Sequence, residues 1–190
     1  MRPSFAAVAL LAVLFGGAMP AWATDPPAAQ QATPEIGGPF TLVDQDGHLA
    51  TDTKFRGKWL LVYFGYTHCP DVCPTALSDM AAAIDGLDPA RRSKVQVIFI
   101  TVDPDRDTPK VMKDYVSAFE DANITGLTGT RYQVNAAAKA YQVRVRRREG
   151  TDGDYTMSHS STINIMGPDG RFIVLSPPER IADHLAELVR

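Results

Sequence analysis

Little in this sequence can serve as a staple. Two cysteines are the whole thiol complement of 190 residues, and histidine occurs only four times. A chain of this length buries an adequate core without cross-links. The lack of a cysteine framework therefore excludes the small disulfide scaffolds and leaves Cys69 and Cys73 free for chemistry. No charge of one sign dominates either: 19 Lys and Arg against 22 Asp and Glu give a net charge of −3. Nothing in that balance points to nucleic acid as a partner. Internal repeats are also missing. What remains is 45% apolar and 22% charged, the composition of an ordinary globular domain.

A long apolar run stands at the start of the chain. Arg2 precedes Phe5 to Phe15, Gly16, Gly17 and Pro20 interrupt it, and Ala21-Trp22-Ala23 has the small-x-small pattern of a signal-peptidase site. Residues 1–23 read as a signal peptide cleaved after Ala23. The alternative is an uncleaved anchor, because Phe5 to Ala23 approaches the roughly 20 residues that span a bilayer. Residues 24–37 are polar and rich in Pro and Ala, a flexible linker. Residues 38–190 form the folded domain, placed outside the cytoplasm by either reading.

Within that domain the hydrophobic period changes repeatedly. Phe40 to Val43 and His48 to Thr51 flank Asp44-Gln45-Asp46-Gly47, which predicts a hairpin. Trp59 to Gly65 and Val95 to Val102 are continuous apolar runs, as in buried strands. Between them, from Pro74, Ala76, Leu77, Met80, Ala83, Ile84 and Leu87 recur at helical spacing and stop before Asp88-Pro89. Thr108 is a good N-cap with Pro109 as the first helical residue, and Val111 to Phe119 continue that helix. A further helix covers Arg131 to Tyr141. Hairpins follow around Glu149 to Gly153 and around Gly167 to Gly170, and a helix from about Glu179 to Val189 ends the chain. The order predicts an α/β fold with a central mixed sheet, helices on both faces and an antiparallel edge.

Tyr66-Thr67-His68-Cys69-Pro70-Asp71-Val72-Cys73-Pro74 lies between a buried strand and a helix, where α/β sheets place ligand sites. The helix N-terminus favours thiolate at both cysteines. Spacing alone leaves three uses open: a structural disulfide, a redox-active Cys69/Cys73 dithiol, or a soft-metal site. His159 weighs towards metal. It sits in Ser158-His159-Ser160-Ser161, just before the apolar stretch Thr162 to Met166. In thioredoxin-like folds that loop packs against the cysteine loop and carries a cis-proline, for which this chain has Ser161. Two thiolates and an imidazole suit copper in either oxidation state. Zinc competes for the same donors but would want a fourth ligand, for which His68 is the nearest candidate. His68 could also promote thiolate at Cys69; His48 and His184 read as solvated.

Two further segments stand out. Asp103 and Asp105 exceed what a helix cap needs and could form an acidic rim that tunes the site, whereas Asp107, Thr108 and Pro109 read as turn and cap chemistry. Arg144, Arg146, Arg147 and Arg148 form a basic stripe on the second hairpin, either a solvated face or a docking surface for an acidic protein or anionic lipid.

Together the Tyr63 to Pro74 segment, Val102-Asp103-Pro104-Asp105-Arg106-Asp107-Thr108-Pro109, Asp154-Tyr155 and His159-Ser160 resemble the Sco/SenC family, the copper proteins of cytochrome c oxidase assembly. Gly126 to Thr130 and Pro168 to Gly170 are smaller matches. The resemblance runs from about Phe40 to Arg190. It implies a thioredoxin-like fold with an inserted hairpin before the histidine, and Cys69, Cys73 and His159 as metal ligands. It further implies copper, Cu(I) or Cu(II), as the metal. The implied role is a metallochaperone that delivers copper to the dinuclear copper site of cytochrome c oxidase or prepares that site's cysteines. The implied partners are the oxidase's copper-receiving subunit, with another periplasmic copper chaperone or a thiol reductant, and an association with the membrane surface. The implied location is the periplasm or the periplasmic face of the inner membrane. The competing function is a dedicated thiol–disulfide oxidoreductase using Cys69 and Cys73. Against general oxidoreductase work stand the Cys-x3-Cys spacing and the missing proline. The family often has an acidic residue before the histidine, where this chain has Ser158.

Overall fold

The computed structural model describes residues 35–151 and 153–190. The expected signal peptide and all but the last three residues of the expected linker lie outside them. Among the described residues no helix is long and apolar enough to cross a membrane.

Strands β1 (Thr41–Asp44) and β2 (Leu49–Thr51) form the predicted hairpin, with Thr41 opposite Thr51. Strand β3 (Trp59–Gly65) is followed by helix α1 (Val72–Asp85), the four-residue helix α2 (Pro89–Arg92) and strand β4 (Val95–Thr101). Both strands are apolar along almost their whole length because each is covered on two faces. Helix α3 (Pro109–Val116) is capped by Thr108, whose hydroxyl accepts from Val111 N, and it ends in a 3-10 turn over Ser117–Ala122.

Strand β5 (Ile124–Thr128) was not foreseen in the sequence. It is short, carries Gly126 at its centre, and presents no apolar run. That glycine lets α3 pack closely: a Cβ there would come within 3.1 Å of Val116 and 3.2 Å of Met112, the underside of α3. Helix α4 (Arg131–Ala140) starts at a capping box made by Thr130 and Gln133. Strands β6 (Val145–Glu149) and β7 (Tyr155–His159) form a separate hairpin. Strands β8 (Ile163–Met166) and β9 (Phe172–Ser176) and helix α5 (Ile181–Leu188) complete the chain.

Among the described residues seven strands form one sheet in the order β2-β1-β5-β4-β3-β8-β9. The pairs β3–β4 and β4–β5 are parallel, while β1 joins β5, and β8 joins β3, antiparallel. Alternation along β3 assigns the helices to faces. Tyr63 stacks on Phe99 of β4 and Phe99 meets Tyr115 of α3, so α3 covers that side. Phe64 points the other way, to Tyr141 at the end of α4, with ring centroids 5.6 Å apart. Helix α1 approaches the Tyr63 side, where Gly65 leaves room for Cys73, and it also packs on α5. The result is the expected thioredoxin-like sheet with helices on both faces. Its apolar core runs from Phe40 to Val189.

Candidate metal centre

The centre assembles from two segments that leave the sheet at its β3 end. At the end of β3 the chain turns sharply, with Cys69 N donating to the Tyr66 carbonyl at 3.2 Å. Helix α1 begins at Val72, two residues earlier than the apolar period suggests, so Cys73 sits in its first turn. The turn before the helix brings Cys69 against this first turn, where Cys73 N donates to Cys69 Sγ at 3.4 Å. The thiols are free and both are buried. Gly65 makes this possible, since a Cβ there would lie 2.9 Å from Cys73 Sγ and 2.7 Å from Phe99 Cε2.

His159 arrives from the other segment. It closes β7, opposite Val145, and is not in a loop as its sequence neighbours suggested. Its Nε2 lies 3.4 Å from Cys73 Sγ. Its Nδ1 lies 2.9 Å from the Ser160 carbonyl. A carbonyl can only accept, so the proton is held on Nδ1 and the Nε2 lone pair faces the sulfurs. Burial pushes the imidazole below its usual pKa, partly countered by that hydrogen bond, so the ring stays a neutral donor. The rings of Tyr63 and Tyr66 meet it edge-on, at 6.1 and 6.0 Å. Two cysteine sulfurs and one imidazole nitrogen thus lie within 4.8 Å of one another.

One expectation is corrected here. The helix N-terminus does not make Cys73 a ready thiolate: burial, with the neighbouring Cys69 thiol, drives its pKa well above the usual range. Burial thus disfavours the Cys73 thiolate. The donor set nonetheless fits a soft cation, because binding it supplies the charge that burial denies.

The segment after β4 fastens both halves of the centre. Asp107, fully buried, accepts from Thr67 N at 3.1 Å, Thr67 Oγ1 at 2.6 Å and Thr101 Oγ1 at 2.5 Å. It anchors the cysteine loop, a role that cap chemistry had hidden in the sequence. Asp103, also buried, accepts from Tyr155 Oη at 2.8 Å and pairs with Arg106. Arg106 and Arg147 lie 3.8 and 3.6 Å from the Tyr155 ring centroid, which is sterically possible only on opposite faces. Asp103 therefore holds the histidine hairpin. Asp105 is exposed, pairs with Arg131, and takes no part.

The remaining histidines stand apart. His68 turns to Thr67 Oγ1 at 3.1 Å and lies 3.9 Å from Asp107, outside the sulfur–nitrogen cluster. It supplies no fourth ligand, which weakens the closed zinc alternative. His48 lies near Asp44 and Asp46, whose carboxylates are already engaged by Lys54 and Lys113.

Comparison with known proteins agrees with this geometry. The SCO1/SenC family model matches residues 28–190. The chain is 38% identical over 161 residues to the mitochondrial SCO1 homolog 1 of Arabidopsis thaliana, covering 85% of this chain and 47% of that protein. It is 41% identical over 142 residues to the human mitochondrial SCO1 homolog, covering 74% and 47%. It thus spans about half the length of those relatives. Among solved structures, copper-bound ScoI of Bradyrhizobium japonicum is 43% identical with a TM-score of 0.69, covering 80% of this chain and 98% of that one. Copper-bound yeast Sco1 is 35% identical with a TM-score of 0.73, covering 82% and 89%. With a profile match across its whole folded part, this chain belongs to the SCO1/SenC family.

Proposed function

We infer that the chain is a copper-binding metallochaperone in which Cys69, Cys73 and His159 hold the metal. It delivers copper to the dinuclear copper site of cytochrome c oxidase, or prepares that site's cysteines. The observation that carries the reading is the 3.4 Å approach of the His159 Nε2 lone pair to Cys73 Sγ. A dithiol exchange enzyme needs no such nitrogen, whereas a soft cation gains a third donor from it. The copper-bound relatives from Bradyrhizobium japonicum and yeast support the choice of metal. Copper is cargo here: two sulfurs and a neutral ring can release it by exchanging ligands one at a time with an acceptor.

The oxidoreductase alternative leaves unexplained why an imidazole nitrogen is held against Cys73, since thiol exchange between Cys69 and Cys73 has no use for it. The reading extends to an exported protein with residues 1–23 as signal and 24–37 as linker. It works in the periplasm or at the membrane surface, facing the oxidase subunit and a second copper chaperone or thiol reductant.

The test is copper stoichiometry. Residues 24–190, reduced and loaded with Cu(I), should hold about one copper per chain, as a single three-donor site dictates. His159→Ala should lose it or bind far more weakly. Equal binding by both proteins would remove His159 from the site and return the dithiol to redox work.

A further inference from the structure

Most of the surface arginines among the described residues have a carboxylate, and Arg190 reaches only the Glu187 carbonyl. Arg56 pairs with Asp52, Arg91 with Asp88, Arg131 with Asp105, Arg171 with Asp169 and Arg180 with Asp183. On the hairpin Arg147 pairs with Glu149 and stacks on Tyr155. Arg144, Arg146 and Arg148 break the pattern: among the described residues none of them has an ion-pair partner. All three line one concave surface of about 510 Å³, together with Ser158, Ser160 and His159.

The hairpin's register explains why they stay unpaired. Arg146 faces Ser158 across the strands and Arg148 faces Thr156, so the cross-strand neighbours are neutral. The alternate residues Arg147, Tyr155 and Met157 lie on the opposite face of the two strands, while Val145 and His159, the pair at the end of the hairpin, still border the hollow. Arg144 is fixed beside them by its N–H bond to Ser160 Oγ at 3.2 Å. His159 borders this basic hollow and also the separate groove that holds Cys69. Anything seated among the arginines therefore lies next to the imidazole without touching either thiol.

We propose that this hollow is the docking surface for an acidic protein, one that carries two or three carboxylates beside its own metal-accepting side chains. Guanidinium forks bind carboxylates in paired hydrogen bonds, and three unpaired cations in a chain of net charge −3 form a local field of the opposite sign. The occupant is a protein and not a bilayer for three reasons. The surface is concave, and among the described residues of the hairpin there is no large exposed apolar side chain to enter a membrane. A flat bilayer would also cover the approach to His159.

The identity of the partner rests on the copper-delivery reading; the carboxylate chemistry does not. The experiment uses residues 24–190, which contain the whole core, and the soluble copper-site domain of the same organism's oxidase subunit. Association is followed with wild type, with Arg144→Ala/Arg146→Ala/Arg148→Ala and with the corresponding triple Lys variant, at about 0.01 M and about 1 M salt, where the Debye length falls from ~30 to ~3 Å. The expected result is an association rate at low salt reduced about tenfold or more by the Ala variant. Its salt dependence should be nearly gone, while its Cu(I) affinity and thermal unfolding match wild type and the Lys variant keeps most of the rate. Equal rates and equal salt slopes for wild type and the Ala variant overturn the proposal. So does arginine-dependent binding to phosphatidylglycerol vesicles that exceeds binding to the domain. The two readings fail separately. Copper binding with arginine-independent association removes the docking surface alone, whereas arginine-dependent association without copper binding removes the copper reading alone.

Discussion

Asp107 offers the sharpest quantitative test. It is fully buried and accepts three hydrogen bonds, two on Oδ2 from Thr67 N and Thr101 Oγ1, and one on Oδ1 from Thr67 Oγ1. In Asp107→Ala the Thr67 hydroxyl can turn to His68 Nδ1 at 3.1 Å. The Thr67 N–H and the buried Thr101 O–H lose their acceptor; Thr101 Oγ1 keeps only the bond it accepts from Asp103 N. Orphaning these donors costs about 1–3 kcal/mol, and the emptied carboxylate volume adds roughly another 1 kcal/mol. The expected loss is about 2–4 kcal/mol, a fall in Tm of roughly 5–15 °C for a domain of this size. Asp107→Asn keeps an acceptor for Thr67 N and Thr101 Oγ1, and should stay within about 1 kcal/mol of wild type.

The pH dependence separates the two variants further. Burial holds the Asp107 carboxyl above its ordinary value, outweighing the threonine hydrogen bonds. The folded state then binds that proton more tightly than the unfolded chain does. Its contribution to stability is fully present below the unfolded pKa of about 3.9 and is lost as pH rises through the folded pKa. Asparagine does not titrate, so its deficit relative to wild type should narrow as pH rises through that window. Urea unfolding of the reduced protein at several pH values reads both effects. An Ala variant within about 0.5 kcal/mol of wild type, the scatter of ordinary surface changes, would refute the anchoring role. Identical pH slopes for wild type and Asn would refute the titration.

Gly65→Ala should destabilise by about 1–3 kcal/mol, the usual cost of overpacking, because its Cβ would sit 2.7 Å from Phe99 and 2.9 Å from Cys73 Sγ. Cu(I) competition should find the affinity reduced with it, and an unchanged affinity would mean that Cys73 need not approach β3. Tyr155→Phe removes the hydrogen bond to the buried Asp103 and keeps the stacking ring, so it should cost about 1–3 kcal/mol in urea unfolding. No measurable loss would show that stacking alone holds the hairpin.

How much of this was legible in the sequence follows from the range of each interaction. The β1–β2 hairpin, β3, β4 and the cap of α3 were readable because period, turn residues and N-caps are local signals. Cys69 and Cys73 were readable for the same reason. Convergence of His159 with them came from fold and family likeness, since Cys73 and His159 are 86 residues apart. Three things escaped. Strand β5 carries a glycine that serves α3, so its period is broken by a contact made elsewhere. Asp107 satisfies a local pattern well enough to conceal a partner 40 residues away. Cys73 was judged by the helix end beside it, while its burial and the neighbouring Cys69 push its pKa the other way.

Five consecutive residues, Asp103 to Asp107, tie down both chain segments of the centre, one through Thr67 and the other through Tyr155. The cysteine loop and the histidine strand have no need of a stiff connection to each other, because each is referenced to the same short stretch. Opening of that stretch slackens both at once, while loss of either bond alone leaves the other segment in register. The centre is thus a cooperative unit smaller than the domain. Cargo that bridges its two halves would raise the free energy of that opening by the work of binding, without any change in the core beneath it.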